Sequence, residues 1–263
     1  HMHAFDFHAY LPPPGVPLLA TVHLPPEWYP PGALQPTRPD TWLHCVSRAS
    51  HEACPQSAAL LQPIENGVPV EELGAARHAK RDFAVYLGRI CHEKGPHLAI
   101  EAARLAEIPL FVAGEVAGYA AHRDFFRDAV APALDAKRRF IGPIGFNRKR
   151  RLLSAARCLL IPSLAPETSS LVAREALACG TPVIAFPNGA LPETIAHGRT
   201  GFLVNSIEEM AQAIGAAGEI DPEVCRAEAR RRFSLDAMVA RYFDIYERLA
   251  VSGHAQDRLP ATA

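Results

Sequence analysis

The sequence has no excess of charge of one sign and no long apolar run. Its 27 lysines and arginines balance 28 aspartates and glutamates, for a formal net charge of −1. Such a chain has no overall field that would attract nucleic acid. Its longest apolar runs, such as residues 158–162, are far shorter than the ~20 residues that cross a bilayer. The first ten residues, HMHAFDFHAY, contain no charged segment followed by an apolar one, so no secretion signal is expected.

Disulfide and metal motifs are also scarce. The six cysteines lie far apart and form no CxxC pair, which argues against a disulfide framework and a structural zinc site. Cysteines of this kind are usually reduced and buried, so we expect a cytoplasmic protein. His1, His3 and His8 lie close together in the sequence, but their spacing matches no structural zinc site, and no metal role is predicted for them.

Proline sets the first part of the chain apart from the rest. Residues 11–39 are rich in proline, which lacks an N–H and has a fixed φ, so they can hold little helix or central strand. One apolar run within this stretch, Pro17–His23, predicts a buried strand, and a second apolar run, Trp42–Val46, follows the stretch and also predicts a strand. A helix is predicted at about Ser50–Leu61, and the alanine-rich residues 71–80 predict a linker helix.

A regular alternation of strands and helices begins at Phe83. The strands are short and continuously apolar, and helix-length segments separate them. This pattern is typical of a parallel sheet with helices on both faces, that is, of a doubly wound α/β domain. Strands are predicted at 83–87, 109–113, 139–141, 158–161, 182–186 and 201–204, and helices at 96–107, 119–136, 147–157, 170–179, 191–197 and 207–217. A last helix at 235–252 precedes a polar tail, 253–263, that we expect to be flexible.

One loop of the predicted sheet carries two cations. Ligands of open parallel sheets bind outside the carboxyl ends of the strands. Directly after the first strand, Gly88 and Gly95 enclose a loop that holds Arg89 and Lys94. Two positive charges beside the amides of a following helix favour a phosphate, and two solvated surface cations are the alternative. The sequence has neither a P-loop nor a GxGxxG fingerprint.

A second loop carries carboxylates. Glu167 follows the strand at 158–161, the hydroxyl residues 168–170 suit a helix N-terminus, and Glu175 comes a little over one turn into the predicted helix. Carboxylates there can accept hydrogen bonds from hydroxyl groups, and the first amides of the helix can hold an anion. A polyol carrying a phosphate would satisfy both sets of groups. Acidic residues that only stabilise the helix dipole are the alternative.

Several further segments follow one another in a family-specific order. They are Leu87-Gly-Arg89, Glu93-Lys-Gly95, Phe140-Ile-Gly142-Pro-Ile144, Leu160-Ile-Pro-Ser163, Glu167 and Glu175 in E-x7-E spacing, Ala176 to Val183, Pro192-Glu193, and Gly198-x-x-Gly201-Phe-Leu-Val204. In these segments the sequence resembles the donor-binding half of family 4 retaining glycosyltransferases of the GT-B fold. The resemblance implies a truncated acceptor-type Rossmann domain at 1–75, a complete Rossmann-like donor domain at 76–234 and a crossover helix at 235–252.

The resemblance also implies a role for each matching position. Arg89 and Lys94 would neutralise the diphosphate of a nucleotide-sugar, Glu167 would bind hydroxyls of the transferred sugar, and Glu175 would bind the ribose. His23 would face the reaction centre from the acceptor domain. The other donor contacts would come from Ile144, Ser169, Ser170, Leu171 and Val172. The nucleotide-sugar is a co-substrate, so no cofactor is implied, and no metal is implied because the sequence has no DxD pair.

The sequence departs from the family pattern in two places. Thr168-Ser169-Ser170 stands where the family often has Pro-Phe-Gly, so the donor or its geometry is expected to differ. Only about 80 residues precede the donor domain. We therefore expect residues 1–75 to be partly irregular, or to pair with a second copy in a homodimer that covers exposed strand edges.

These observations predict the transfer of a sugar from a nucleoside-diphosphate sugar, with retention and without a metal, to a glycan, lipid-linked or small-molecule acceptor. A nucleotide-sugar-binding module, inactive alone because its acceptor domain is incomplete, is the alternative. A nicotinamide-dependent oxidoreductase is disfavoured because the glycine fingerprint is missing. The basic run 148–151 is interpreted as a solvated helix face, and peripheral contact with anionic lipid is its alternative interpretation.

Overall fold

The computed structural model describes residues 1–256, and the chain divides into two compact units. The first comprises residues 1–67 and the chain from Leu235 onwards, and the second is Val68–Ser234. The boundary therefore lies at 67/68, not at 75/76. The reason is that helix α2 (Val70–Gly74) buries Val70 and Leu73 in the hydrophobic core of the second unit.

The first unit contains one small parallel sheet. Strand β1 (Leu18–Val22) pairs with β2 (Thr41–Cys45), and both strands are almost entirely buried. Up to residue 75, the chain therefore holds two strands and not a five- or six-stranded sheet. Helix α1 (Arg48–Ala53) follows and ends at Cys54, because the residue before Pro55 disfavours helical backbone. The predicted extension of this helix to Leu61 is wrong.

The last helix, α10 (Leu235–Gln256), is longer than predicted. No proline follows its apolar positions before Pro260, and a single internal glycine such as Gly253 lowers helix stability by only about 1 kcal/mol. The helix therefore continues through residues 253–256, which were predicted to be flexible. The rest of the predicted tail, residues 257–263, lies outside the described residues.

A chain of hydrogen bonds runs through the first unit. His44 Nδ1 lies 3.1 Å from the carbonyl oxygen of Cys45. A carbonyl can only accept, so Nδ1 carries the proton and Nε2 accepts from the Thr21 hydroxyl, 2.7 Å away. Thr21 Oγ1 then accepts from His1 Nε2 at 2.7 Å, and His1 Nδ1 accepts from the Tyr246 hydroxyl at 2.6 Å. Because His44 is fully buried, desolvation lowers its pKa to about 4.

We expect the stability of the first unit to fall as pH decreases through this range. The pKa of His44 is about 4 in the folded chain and 6.5 for an unperturbed histidine, so the unfolded state binds the extra proton first. The free energy of unfolding therefore decreases between pH 6.5 and 4, by at most ~3 kcal/mol from this group. Urea unfolding at several pH values should show a shallower pH slope for His44→Gln, which cannot titrate.

The exposed residue His8 provides the matched control. His8→Gln should leave the pH slope unchanged. Burial also lowers the pKa of His3 and His23, so part of the slope should remain in His44→Gln. An identical slope in the wild type and in His44→Gln would contradict the assignment.

The second unit is a doubly wound α/β domain, as predicted. Its six parallel strands lie in the order β5-β4-β3-β6-β7-β8. Consecutive residues of one strand, such as Val85 and Tyr86, belong to two different core clusters, which lie on opposite faces of the sheet because successive side chains point to opposite sides of a strand. The strands are β3 (Ala84–Leu87), β4 (Leu110–Ala113), β5 (Arg138–Gly142), β6 (Cys158–Ile161), β7 (Val183–Ala185) and β8 (Gly201–Leu203).

The helices of the second unit lie mostly where they were predicted. They are α3 (Pro96–Leu105), α4 (Ala120–Phe125), α5 (Phe146–Ala155), α6 (Leu171–Ala178), α7 (Leu191–Thr194), α8 (Ile207–Ala216) and α9 (Pro222–Arg232). The prediction of a single helix over residues 119–136 is wrong. After α4 the chain continues as a π-helical turn, Phe126–Val130, and a 3-10 turn, Ala131–Ala133, because Pro132 cannot donate a helical hydrogen bond.

The predicted linker helix at 71–80 is also wrong beyond Gly74. Tertiary hydrogen bonds hold the segment after α2 instead. His78 Nδ1 lies 2.7 Å from Ser154 Oγ, and Lys80 Nζ donates to Thr181 Oγ1 at 2.7 Å. Such contacts override the weak helix preference of an alanine-rich sequence.

The two ends of the second unit meet. The backbone N–H of Val68 donates to the carbonyl of Phe233 at 2.8 Å, and Val68 forms a parallel bridge with Ser234. All six cysteines are buried and none forms a disulfide, as predicted. Among the described residues, no helix has the length and apolar character needed to cross a membrane.

Candidate active site

The chain changes direction across the sheet between β3 and β6. Strands β3 to β5 build one half of the sheet and β6 to β8 the other, and β3 pairs with β6 at the centre. In open α/β sheets, ligands bind outside the carboxyl ends of the strands at such a point. A cavity of about 210 Å³ lies here. It is lined by Tyr86, Leu87, Gly88, Arg89, Lys94, Leu160, Ile161, Glu167, Ser169, Ser170, Leu171 and Val172.

Seven of the predicted site residues line this cavity, and they come from both predicted loops: Arg89, Lys94, Glu167, Ser169, Ser170, Leu171 and Val172. The cations after β3 and the first carboxylate after β6 therefore lie at one place. Ile144 and Glu175 do not line the cavity. His23 belongs to the first unit.

Lys94 and Glu167 are paired directly. Lys94 Nζ lies 2.6 Å from Glu167 Oε1, and the Ser163 hydroxyl donates to the same oxygen at 2.8 Å. The Glu167 side chain is 10% exposed and that of Lys94 is 26% exposed. A carboxylate this buried requires a counter-charge and hydrogen bonds. The side chains of Lys94 and Ser163 therefore hold the carboxylate in one place at the edge of the cavity.

Two glycines bring the site loops together. Gly95 has φ +66°, and a Cβ there would overlap the carbonyl oxygen of Pro162, directly after β6. Gly189 has φ +62°, and a Cβ there would overlap the backbone of Glu167. Ala190 N also donates to the Glu167 carbonyl at 2.7 Å. The loop after β7 therefore supports Glu167 from behind.

Ser163 and Gly189 are two site residues to which no role was assigned from the sequence. The position of Ser163, two residues after the end of β6, was an available signal because groups at strand ends face the ligand edge. Gly189 gave a weaker signal, since a Pro187-Asn188-Gly189 sequence predicts only a turn.

The N-terminus of α6 faces the same cavity. Ser170 is the N-cap residue of this helix, but its side chain makes no capping hydrogen bond. The Ser169 hydroxyl oxygen is buried and has no hydrogen-bond partner among the described residues. The expectation that the hydroxyls of 168–170 cap the helix is therefore wrong for Ser170. The backbone N–H groups in the first turn of α6 can therefore bind an external anion.

Glu175 has a charged partner within the second unit. Lys149 Nζ on α5 lies 2.5 Å from Glu175 Oε1, and both side chains are mostly buried. The neighbouring Arg150 donates to the carbonyl of Glu72 at 2.8 Å. The basic run 148–151 is therefore not a wholly solvated face, because two of its four side chains bind groups of the same unit.

Burial perturbs two groups beside the cavity. Tyr86 is buried and donates to the carbonyl of Arg89 at 2.8 Å, and desolvation raises the pKa of its phenol. Burial also raises the pKa of the Cys91 thiol to about 11. Both groups are therefore uncharged at neutral pH, which leaves Arg89, Lys94 and Glu167 as the charged groups of the cavity lining.

The sequence of the second unit matches a known family. The family described as "Glycosyl transferases group 1" matches residues 74–233. The chain belongs to this family. The group 1 match contains every strand of the six-stranded sheet and every residue that lines the cavity. The predicted resemblance to glycosyltransferases is thereby confirmed at the level of this family.

Curated group 1 relatives share part of their length with this chain. The chain is 32% identical over 190 residues to a D-inositol 3-phosphate glycosyltransferase of Corynebacterium efficiens, which covers 66% of this chain and 44% of the relative. It is 33% identical over 192 residues to the enzyme of the same name from Mycobacterium bovis, covering 67% of this chain and 38% of the relative. The chain spans less than half the length of these relatives.

Solved structures with lower identity share the fold. AviGT4, a glycosyltransferase involved in avilamycin A biosynthesis, has a TM-score of 0.69 at 24% identity and covers 90% of this chain and 70% of its own. HepE from Anabaena in complex with UDP has a TM-score of 0.72 at 23% identity and covers 88% of this chain and 72% of its own. These likenesses confirm the predicted Rossmann-like α/β fold of GT-B type.

Proposed function

We propose that the cavity between β3 and β6 binds the diphosphate and sugar of a nucleoside-diphosphate sugar, and that the protein transfers this sugar to an acceptor. The observation that carries the proposal is the pairing of Lys94 with Glu167 beside Arg89 and the N-terminus of α6. Anion-binding and hydroxyl-binding groups thus lie within one cavity. HepE, which shares the fold, has been solved with UDP, so UDP-sugars are the first donors to test.

The charges of the cavity suit a diphosphate as leaving group. A lysine ammonium has three N–H donors, so Lys94 can hold Glu167 and a phosphate oxygen at the same time. Arg89 is exposed at the start of the loop that follows β3, and its guanidinium adds a second positive charge. The dipole of α6 adds a third favourable contribution. Together these groups would stabilise the negative charge that develops as the sugar leaves.

Glu167 would bind hydroxyls of the transferred sugar. It is the only carboxylate among the described residues that line the cavity, and its Oε1 is engaged by Lys94 and Ser163. This arrangement supports transfer without a metal and without a covalent intermediate on Glu167, which fits retention through positioning and charge stabilisation. Glu175, His23 and Ile144 keep their implied roles only as predictions.

The relatives suggest a class of acceptor. Two of the curated relatives are named for transfer to D-inositol 3-phosphate. We therefore propose a small phosphorylated polyol as the first acceptor to test, beside glycan and lipid-linked acceptors. A protein that binds the donor without turnover, as the alternative function requires, would release no sugar with any of them.

Replacing Arg89 with alanine is expected to weaken nucleotide binding at least tenfold. Arg89 lines the cavity, and a charge-assisted hydrogen bond to a phosphate contributes roughly 1.5–3 kcal/mol. Calorimetric titration of UDP, GDP and ADP into the wild type and Arg89→Ala measures the effect. Arg81→Ala is the matched control, because Arg81 is exposed and does not line this cavity. Equal affinity in all three proteins would sink the assignment.

A further inference from the structure

Three side chains that commonly bind metals converge outside the donor cavity. Cys91 and Glu93 lie on the loop between Arg89 and Lys94, and His122 lies on α4. One potential ligand atom from each of the three lies within 4.8 Å of the other two. None of the three lines the donor cavity. Among the described residues, no other group of three or more histidine, cysteine or acidic side chains is this compact.

The local structure holds the side chains of Cys91, Glu93 and His122 close together. Cys91 is the residue before a 3-10 turn, His92–Lys94, and it is fully buried. Its thiol donates a long hydrogen bond to the carbonyl of Arg89, with Sγ 3.9 Å from that oxygen. Glu93 and His122 are half-buried. The backbone of the turn is fixed from the other side, since the Glu93 carbonyl accepts from Leu164 N at 2.8 Å.

One polar atom of this cluster lacks a partner. The Nδ1 atom of His122 is buried and has no hydrogen-bond partner among the described residues. A buried polar atom without a partner costs about 1–3 kcal/mol. A metal ion that bound His122 through Nδ1 would remove that cost.

We propose that Cys91, Glu93 and His122 bind a divalent transition-metal ion of the zinc type. Sulfur, nitrogen and oxygen donors together are the ligand set of such ions, which commonly take three protein ligands and a water molecule. Binding forms a metal–sulfur bond and breaks the S–H bond of Cys91, and the proton passes to solvent. The thiolate and the carboxylate then balance the two positive charges of the ion.

A metal at this site would hold the loop in place and would not contact the sugar. A metal held by Cys91, Glu93 and His122 links the loop that carries Arg89 and Lys94 to helix α4. No sequence motif indicates this site, because Cys91 and Glu93 are separated by one residue and His122 lies on another element. The proposal does not depend on sugar transfer, since it concerns metal binding alone.

Cobalt titration tests the site directly. We expect Co²⁺, added to the reduced, chelator-treated chain, to produce a thiolate-to-cobalt charge-transfer band in the near ultraviolet that excess Zn²⁺ removes. Cys91→Ser should abolish this band. Glu93→Gln and His122→Ala should weaken Co²⁺ affinity at least ~10-fold, as is common when metal sites lose supporting groups. Histidine clusters elsewhere in the chain cannot contribute to a sulfur band.

Cys225→Ser is the matched control. Cys225 is also fully buried in the second unit but belongs to no such cluster among the described residues, so its variant should keep the band. A wild type without the band, a band that persists in Cys91→Ser, or unchanged affinity in His122→Ala would overturn the proposal. If Cys91→Ser does not fold, Glu93→Gln and His122→Ala still decide, because both side chains are only half-buried. UDP titration remains a separate test, so either proposal can fail alone.

Discussion

Replacing Lys94 with alanine is expected to lower the turnover of a nucleotide-sugar donor by about 10²- to 10³-fold. The substitution removes a cation from the place where the leaving diphosphate would gain negative charge. It also removes the counter-charge of Glu167, whose side chain is only 10% exposed. Because the contribution is greatest in the transition state, kcat and kcat/KM should fall together. Initial rates of sugar release from UDP-sugars, with and without a phosphorylated polyol, measure the effect.

Lys137 offers a control of the same residue type. It is exposed in the turn before β5 and does not line the cavity, so Lys137→Ala should keep the wild-type rate. A Lys94→Ala protein that turns over donor as fast as Lys137→Ala would contradict the proposed role. Binding of UDP without turnover in the wild type would instead favour the binding-module alternative.

Replacing Gly95 with alanine is expected to destabilise the second unit by roughly 2–5 kcal/mol. A left-handed backbone costs an L-residue about 1–2 kcal/mol, and Gly95 has φ +66°. The new Cβ would also overlap the carbonyl oxygen of Pro162, and such overpacking typically adds about 1–3 kcal/mol. Urea unfolding at constant m-value measures the change in the free energy of unfolding.

Gly142 separates the two contributions. It has φ +68°, and no heavy atom lies within 4 Å of the Cβ that alanine would add. Gly142→Ala should therefore show only the backbone cost. Gly95→Ala should also weaken nucleotide binding, because relief of the overlap moves the neighbouring Lys94 away from Glu167. Equal destabilisation of the two variants would show that the contact with Pro162 has no energetic weight.

Most strands of the second unit could be predicted because they are short apolar runs between helix-length segments, although β5 begins with two arginines. Cys158–Ile161 is one such run, and the structure reproduces its bounds without change. The common location of Arg89, Lys94 and Glu167 followed from the same reasoning, since the carboxyl ends of parallel strands share one edge of a sheet. The order of the strands then places the two loops side by side.

Side-chain partners could not be predicted in the same way. Nothing in the sequence shows that Glu175 pairs with Lys149, because residues 26 positions apart meet only through the packing of two helices. The approach of His122 to Cys91 depends equally on tertiary structure. Helix ends at prolines could have been predicted better, since Pro55 and Pro132 stand in the sequence. The path of the chain after α2 could not, because His78 and Lys80 are held there by tertiary hydrogen bonds to Ser154 and Thr181.

The second unit begins and ends at one place, where the backbone N–H of Val68 donates to the carbonyl of Phe233. Domains whose termini lie close together tolerate insertion into other chains and circular permutation. A unit of this kind can be inserted into another protein at a single position of that protein's chain. We therefore expect the second unit to be movable between chains with its six-stranded sheet unchanged.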